Sequence, residues 1–180
     1  MRRTFPLLLV VLAVVVLCAT VPAQNVQKDP QNRFAISTPV GWKVVTTDEK
    51  MKLTMGDSFI NITHVTGQNT AFKVLQAALG QGAENLQGGQ ELERGETTFG
   101  GEHAVYVNFS AYDDRSIAMY GRVVANDSGW VFFAGSPQTG FSTLLPIFLK
   151  IEHSFQLTKD GVPQRTLPPP PPPEPVTTPK

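Results

Sequence analysis

Soft metal ligands and disulfide partners are almost missing from this sequence, which has one cysteine, Cys18, and three histidines, His64, His103 and His153, in 180 residues. One thiol cannot build a disulfide framework, and so few ligands cannot form a zinc finger, a zinc ribbon or an iron–sulfur site. An excess of charge is missing as well, since 15 Lys and Arg balance 15 Asp and Glu. Without a basic surplus there is no electrostatic footprint for nucleic acid or for an anionic membrane surface, so neither is expected as a partner. Reactive signatures are equally scarce. There is no Gly-x-Ser-x-Gly elbow and no alternating Asp-x-Asp-x-Asp-Gly loop, while Gly80-Gln81-Gly82 and Gly88-Gly89 lack the spacing and the lysine of a phosphate loop. The residues therefore assign no catalytic group, no metal ligand set and no cofactor, and they speak more clearly about location and fold.

Location is written at the N-terminus. Arg2 and Arg3 precede an unbroken apolar run from Leu7 to Ala19, and Val21-Pro22-Ala23 supplies small residues before Gln24. This is the layout of a secretory signal over residues 1–23, cleaved near Ala23. The run is shorter than the roughly 20 residues of a spanning helix, and Pro6 and Pro22 bracket it, so no membrane anchor is expected after processing. Lipidation of Cys18 is disfavoured because the preceding residue, Leu17, is not small. Removing the two arginines leaves a mature chain of about −2 with no cysteine, destined for a periplasmic or otherwise extracytoplasmic space. The sequons at Asn61, Asn108 and Asn126 read as incidental.

The C-terminus also lies outside the expected domain. From Pro163 to Lys180 there are nine prolines, including the run Pro168 to Pro173. Proline has a fixed φ and no amide donor, so residues 159–180 are predicted to be an exposed, disordered tail with polyproline II character. A solvated tail is the leading reading, and a ligand for an aromatic-lined groove is the alternative.

Residues 24–31 read as a linker, and residues 32–158 as one domain of short strands and two helices. Strands are predicted at Arg33 to Thr38, Trp42 to Thr46, Lys50 to Met55 and Ser58 to Val65, where Ile60 and Ile62 share a face. Phe72, Leu75, Leu79, Ala83 and Leu86 then recur at helical spacing after an Asn69 or Thr70 cap. Gly100-Gly101, Asp113-Asp114 and Asp127-Ser128-Gly129 separate four further strands as an antiparallel meander. Trp130 to Ala134 is apolar at every position and so needs cover on both sides. After Pro137, the spacing of Phe141, Leu144, Leu145, Phe148 and Ile151 predicts a second helix, with Pro146 at its start or at a kink. The expected class is α+β: an antiparallel meander with helices on both faces, an α/β/α sandwich.

Two stretches carry a family resemblance. Phe34-Ala35-Ile36-Ser37-Thr38-Pro39-Val40-Gly41-Trp42, an extended segment leading into a Pro-x-Gly-Trp turn, resembles the first hairpin of PsbP-like domains. The last helix followed by His153-Ser154-Phe155 resembles their closing helix and Ser-Phe strand. The resemblance spans residues 32 to 158. It implies an α/β/α sandwich in a family whose members are mostly not enzymes and share a binding surface; no photosystem-specific residue is carried over.

Each candidate for chemistry has a plain structural reading beside it. His64 shares the parity of Ile60 and Ile62, and His103 that of Val105 and Val107, so both are expected to face inward, yet the three histidines sit on distant elements without ligand spacing. The carboxylates nearest to them, Glu102 and Glu152, are expected to point away from the adjoining histidines. Ser154 beside His153 is an adjacency and not a triad. Asp113-Asp114 reads as a solvated turn, and Phe132, Phe133, Phe141 and Phe148 as core in preference to a lipid pocket. Trp42 and Trp130 are expected to support the fold. The resulting expectation is a secreted, non-catalytic binding or assembly module for a protein partner of the envelope. The competing reading is a small-ligand carrier or hydrolase using a cleft at a sheet edge.

Overall fold

The structure is a computed structural model that describes residues 24–82, 87–113, 115–159 and 162–163. The signal segment, the proline-rich tail from Gln164, Asp114, Ala83 and Leu86 lie outside the described residues. In chain order the strands are β1 (Gln24–Lys28), β2 (Phe34–Pro39), β3 (Lys43–Thr46), β4 (Lys50–Met55) and β5 (Ser58–His64). Helix α1 (Ala71–Gly82) follows, then β6 (Gln87–Phe99), β7 (Glu102–Tyr112), β8 (Ala118–Asn126) and β9 (Trp130–Pro137). Helix α2 (Gln138–His153), β10 (Gln156–Lys159) and β11 (Val162–Pro163) complete the described chain.

The strands form two sheets where the sequence suggested one. Strands β3 to β9 build a seven-stranded sheet in the order β3-β4-β5-β9-β8-β7-β6, every neighbour antiparallel. The smaller sheet has the order β1-β2-β10-β11. Its first member corrects the reading of residues 24–31 as a linker, because Gln24–Lys28 pairs antiparallel with Ala35 to Pro39. The cause of the miss is chemical: Gln-Asn-Val-Gln-Lys has no apolar alternation, and Val26 is exposed. What holds this strand is ladder hydrogen bonding and the turn after it. There the Asp29 carboxylate accepts the amides of Gln31 and Arg33 at 3.1 and 3.2 Å and both arms of the Arg33 guanidinium at 2.8 Å. Burial pushes the Asp29 carboxyl upward, but these donors outweigh it and hold the group below the ordinary carboxylate range.

Two apolar clusters divide the large sheet by strand parity. Val124, Phe132 and Ala134 join the cluster that contains Phe141, Phe148 and Ile151 of α2, together with Phe34 and Ile36 of β2. Val123, Ala125 and Val131 join the cluster that contains Val74 and Leu75 of α1. The side chains that point with Val124 define face A of this sheet, and those that point with Val123 define face B. The unbroken apolar run from Trp130 to Ala134 follows from this arrangement, since both of its parities enter a cluster.

Helix α1 is capped as expected, with the Thr70 hydroxyl accepting the amide of Lys73 at 3.3 Å. Its buried stripe is rotated from the predicted one. Ala71, Val74 and Leu75 are buried, while Phe72 is 45% exposed with the Arg94 guanidinium 5.7 Å from its ring. Pro146 lies inside α2 and not at its start. The end of α2 is tied to β2 through Ser154, whose hydroxyl donates to the Ile151 carbonyl at 2.7 Å and accepts the Ser37 amide at 2.9 Å. Trp42 and Trp130 are buried. Trp130 stands between Phe34 and Phe155, with ring centroids at 4.9 and 5.9 Å.

Candidate functional site

Helix α2 lies over β8, β9 and β2, and the face-A side chains of β7 and β6 continue beyond it. Parity fixes which residues these are. Tyr106, Asn108, Ser110 and Tyr112 alternate along β7, with Glu93 of β6 opposite Asn108 and Tyr120 of β8 opposite Ser110. All three tyrosines of the chain therefore stand on one side of one sheet. Tyr106 and Tyr120 are half-buried, and Tyr112 is 53% exposed. A phenol offers a large rigid apolar area and a polar tip, which suits a surface that must bind another molecule while remaining wet when unoccupied.

The floor of this surface is a closed circuit of polar groups. Arg122 of β8 donates from Nε to Oε2 of Glu152 at 2.8 Å and from Nη2 to Oε1 at 3.4 Å. Its Nη1 donates to Asn108 Oδ1 at 3.1 Å, and Asn108 Nδ2 donates to Glu93 Oε2 at 2.7 Å. Tyr106 donates its hydroxyl to Glu93 Oε1 at 2.9 Å, and its ring lies 4.0 Å from the Arg122 guanidinium carbon, which closes the circuit. Arg122 and Glu152 are buried, while Glu93 is exposed. A buried guanidinium is tolerated here because its charge is matched and its planar donors are occupied. The donated hydrogen bond to Glu93, followed by burial and the Glu93 charge, holds the Tyr106 phenol above its ordinary pKa.

Tyr106 is positioned from below by Gly95, its partner on β6. A Cβ at Gly95 would lie 2.7 Å from the ring, so the aromatic occupies the space that a side chain would fill. The same device recurs on face B, where the Phe109 ring covers Gly121, its partner on β8.

The histidines do not converge. His64 and His103, expected inward, are both exposed, as is His153. The His64 ring lies 4.7 Å from that of Trp130, with Nε2 3.3 Å from the Ser128 carbonyl. His103 stands between Asp127 at 3.3 Å and Glu96 at 3.8 Å, and Asp127 also accepts the Ala71 amide at the start of α1 at 2.6 Å. Among the described residues no three such side chains are arranged to hold a metal ion. The Ser154 hydroxyl is committed to the backbone contacts of Ile151 and Ser37. Asp113 accepts the amides of Ile117 and Arg115 at 2.8 and 3.0 Å, and the Ile117 bond leads the causes that hold its carboxyl low. Asn126 is fully buried, donating to the Phe99 carbonyl and accepting the Trp130 amide. Phe132 and Phe148 are fully buried in the core, as the sequence suggested.

The Arg122–Glu152 pair went unread in the sequence, although its two halves each carried a signal. Glu152 falls on the stripe of Phe141, Leu145 and Phe148, and Arg122 alternates with Tyr120 and Val124. Charges at core-facing positions on two elements point to each other.

No family model and no curated protein matches this chain. Solved structures do. The chain is similar to a cyanobacterial PsbP, CyanoP, from Synechocystis sp. PCC 6803, at TM-score 0.53 and 10% identity, covering 78% of this chain and 96% of the other. It is similar to LpqN of Mycobacterium tuberculosis, described as involved in cell envelope biogenesis, at TM-score 0.52 and 17% identity, covering 76% and 91%. The described domain thus has the α+β fold of PsbP-like structures, two mostly antiparallel sheets with two helices.

Proposed function

We propose that this protein is a secreted, non-catalytic binding module that engages a protein partner of the cell envelope through the tyrosine surface of β7 and β8. Its architecture on this reading is an α/β/α sandwich, supported by the separation of α1 and α2 into clusters of opposite strand parity. The observation that carries the reading is the placement of all three tyrosines on one sheet face above a locked Arg122–Glu152 floor. Tyrosine is enriched where proteins meet, because it provides contact area at low entropic cost. Support for a non-catalytic role comes from the committed hydrogen bonding of Ser154, Asp113 and Asn126 described above. Support for an extracytoplasmic setting comes from the signal-like residues 1–23 and from the involvement of LpqN in cell envelope biogenesis.

Native electrophoresis of envelope extracts tests the assignment. Wild type should migrate in an assembly larger than the monomer, and Tyr112→Ser should migrate as the monomer with an unchanged melting temperature, because the Tyr112 side chain is largely solvent-exposed. Monomeric wild type, or an assembly indifferent to Tyr112→Ser and to Tyr120→Ser, would overturn it.

A further inference from the structure

We infer that the proline-rich segment Leu167–Pro173 of this same chain docks in cis on the tyrosine surface. The inference deepens the binding reading above and rests on it, since it names an internal ligand that a partner would have to displace. Three features converge on it.

The first is where the described chain ends. Strand β11 pairs antiparallel with β10, Thr158 opposite Pro163, so the chain at Pro163 is travelling back toward Gln156. Gln156 forms a bridge with Gly100, the residue that follows β6. Phe155 and Leu157 flank this bridge, lie against Gly100 and belong to the face-A cluster or pack on it. The chain therefore leaves β11 on the face-A side, beside the β6–β7 turn.

The second is reach. From Gly100 to Gly95, the strand partner of Tyr106, the distance along β6 is about 17 Å at about 3.4 Å per residue. A polyproline II segment extends about 3.1 Å per residue, so the sequence from Gln164 to Lys180 spans about 50 Å. Extended from Pro163, Leu167–Pro173 covers about 12 to 31 Å, while Tyr106, Ser110 (opposite Tyr120) and Tyr112 lie about 14, 27 and 34 Å from Glu102 along β7, so the segment passes the first two and ends beside the third.

The third is chemistry. Prolines have no amide hydrogen, so their carbonyls are left as acceptors while their rings present apolar ridges. Aromatic-lined grooves recognise this pattern by stacking rings on the ridges and donating to the carbonyls. Tyr112, Tyr120, Asn108 and Ser110 supply both kinds of group on one face. Arg165 precedes the prolines, and the exposed Glu102, next to the point where the chain leaves β11, supplies the opposite charge.

Paramagnetic broadening in the full chain provides the test. With Cys18→Ser and a nitroxide attached at Val176→Cys, the amide signals of residues 110–112 and 118–120 should be lost, while those of Lys50–Lys52, at the opposite end of the sheet, keep their intensity. Tyr112→Ala should restore the lost signals, and so should Pro169→Ala combined with Pro171→Ala, which leaves the folded domain untouched. Full intensity at residues 110–112, or uniform broadening over the whole surface, would overturn the proposal. Broadening that arises only between a labelled chain and a second, isotope-labelled chain would also overturn it, because the ligand would then be another copy. If the tail proves free while the assembly still depends on Tyr112, the tail proposal fails and the binding surface stands.

Discussion

Arg122 and Glu152 set the stakes at the scale of single residues. Removing one member leaves the other charged and unpaired in the core, so Arg122→Met should cost about 3 to 5 kcal/mol in urea unfolding. Replacing both, as Arg122→Met with Glu152→Leu, should recover most of that loss, because neither charge is then stranded. A single variant as stable as wild type would show the pair to be solvated. Tyr106 gives a second test with a definite sign. Its fold-raised pKa means that its contribution to stability is fully present below the ordinary tyrosine pKa and is lost only as pH rises through the raised value. In an ultraviolet titration Tyr106 should ionise late, and Glu93→Gln should return it toward the ordinary range. The histidines show where residue-level reading stops. Parity placed His64 with Ile60 and Ile62 correctly, but His64 is the last residue of β5, beyond the covering layer, and a face is buried only where something packs on it.

At the scale of elements, most strands were legible because turn chemistry punctuates them. Gly100-Gly101 and Asp127-Ser128-Gly129 separate β6 from β7 and β8 from β9 close to where the structure places the turns. Strand β1 was not legible, because its pairing is carried by backbone and by the Asp29–Arg33 turn and not by apolar alternation. The separation into two sheets was hidden for a related reason: β2 and β10 lie more than 100 residues apart in sequence, and nothing local announces that Gln156 and Leu157 pair with Ala35 and Phe34. The glycines of these elements make opposite predictions. Gly80 of α1 is exposed with nothing within 4 Å of a Cβ, so Gly80→Ala should stabilise the protein by up to about 1 kcal/mol. Gly121 of β8 lies beneath the Phe109 ring and the Ala134 carbonyl, so Gly121→Ala should destabilise by about 1 to 3 kcal/mol. Chemical denaturation of the two variants side by side would check both signs.

For the molecule as a whole, the fold was more legible than the site. A sheet with helices and a PsbP-like order of elements followed from periodicity and from a few local words, whereas the tyrosine surface needs the β7–β8 register to bring Tyr120 opposite Ser110, on the same face as Tyr106 and Tyr112. Cleavage after Ala23 would make Gln24, the first residue of β1, the new N-terminus, so N-terminal sequencing of the exported protein should read from Gln24 or within a residue or two of it. A protein that retains Met1 in a membrane fraction would contradict export by a cleaved signal. The most direct test of the central claim is site-specific photo-crosslinking in intact producing cells, with a photoreactive amino acid placed in turn at Tyr112 and at Val45, an exposed apolar residue of β3 remote from the tyrosines. Discrete adducts with a second polypeptide from Tyr112 and none from Val45 are the result expected of a binding module that uses this face. Adducts from Val45 alone, or none from Tyr112 under conditions where the protein is folded and exported, would contradict it.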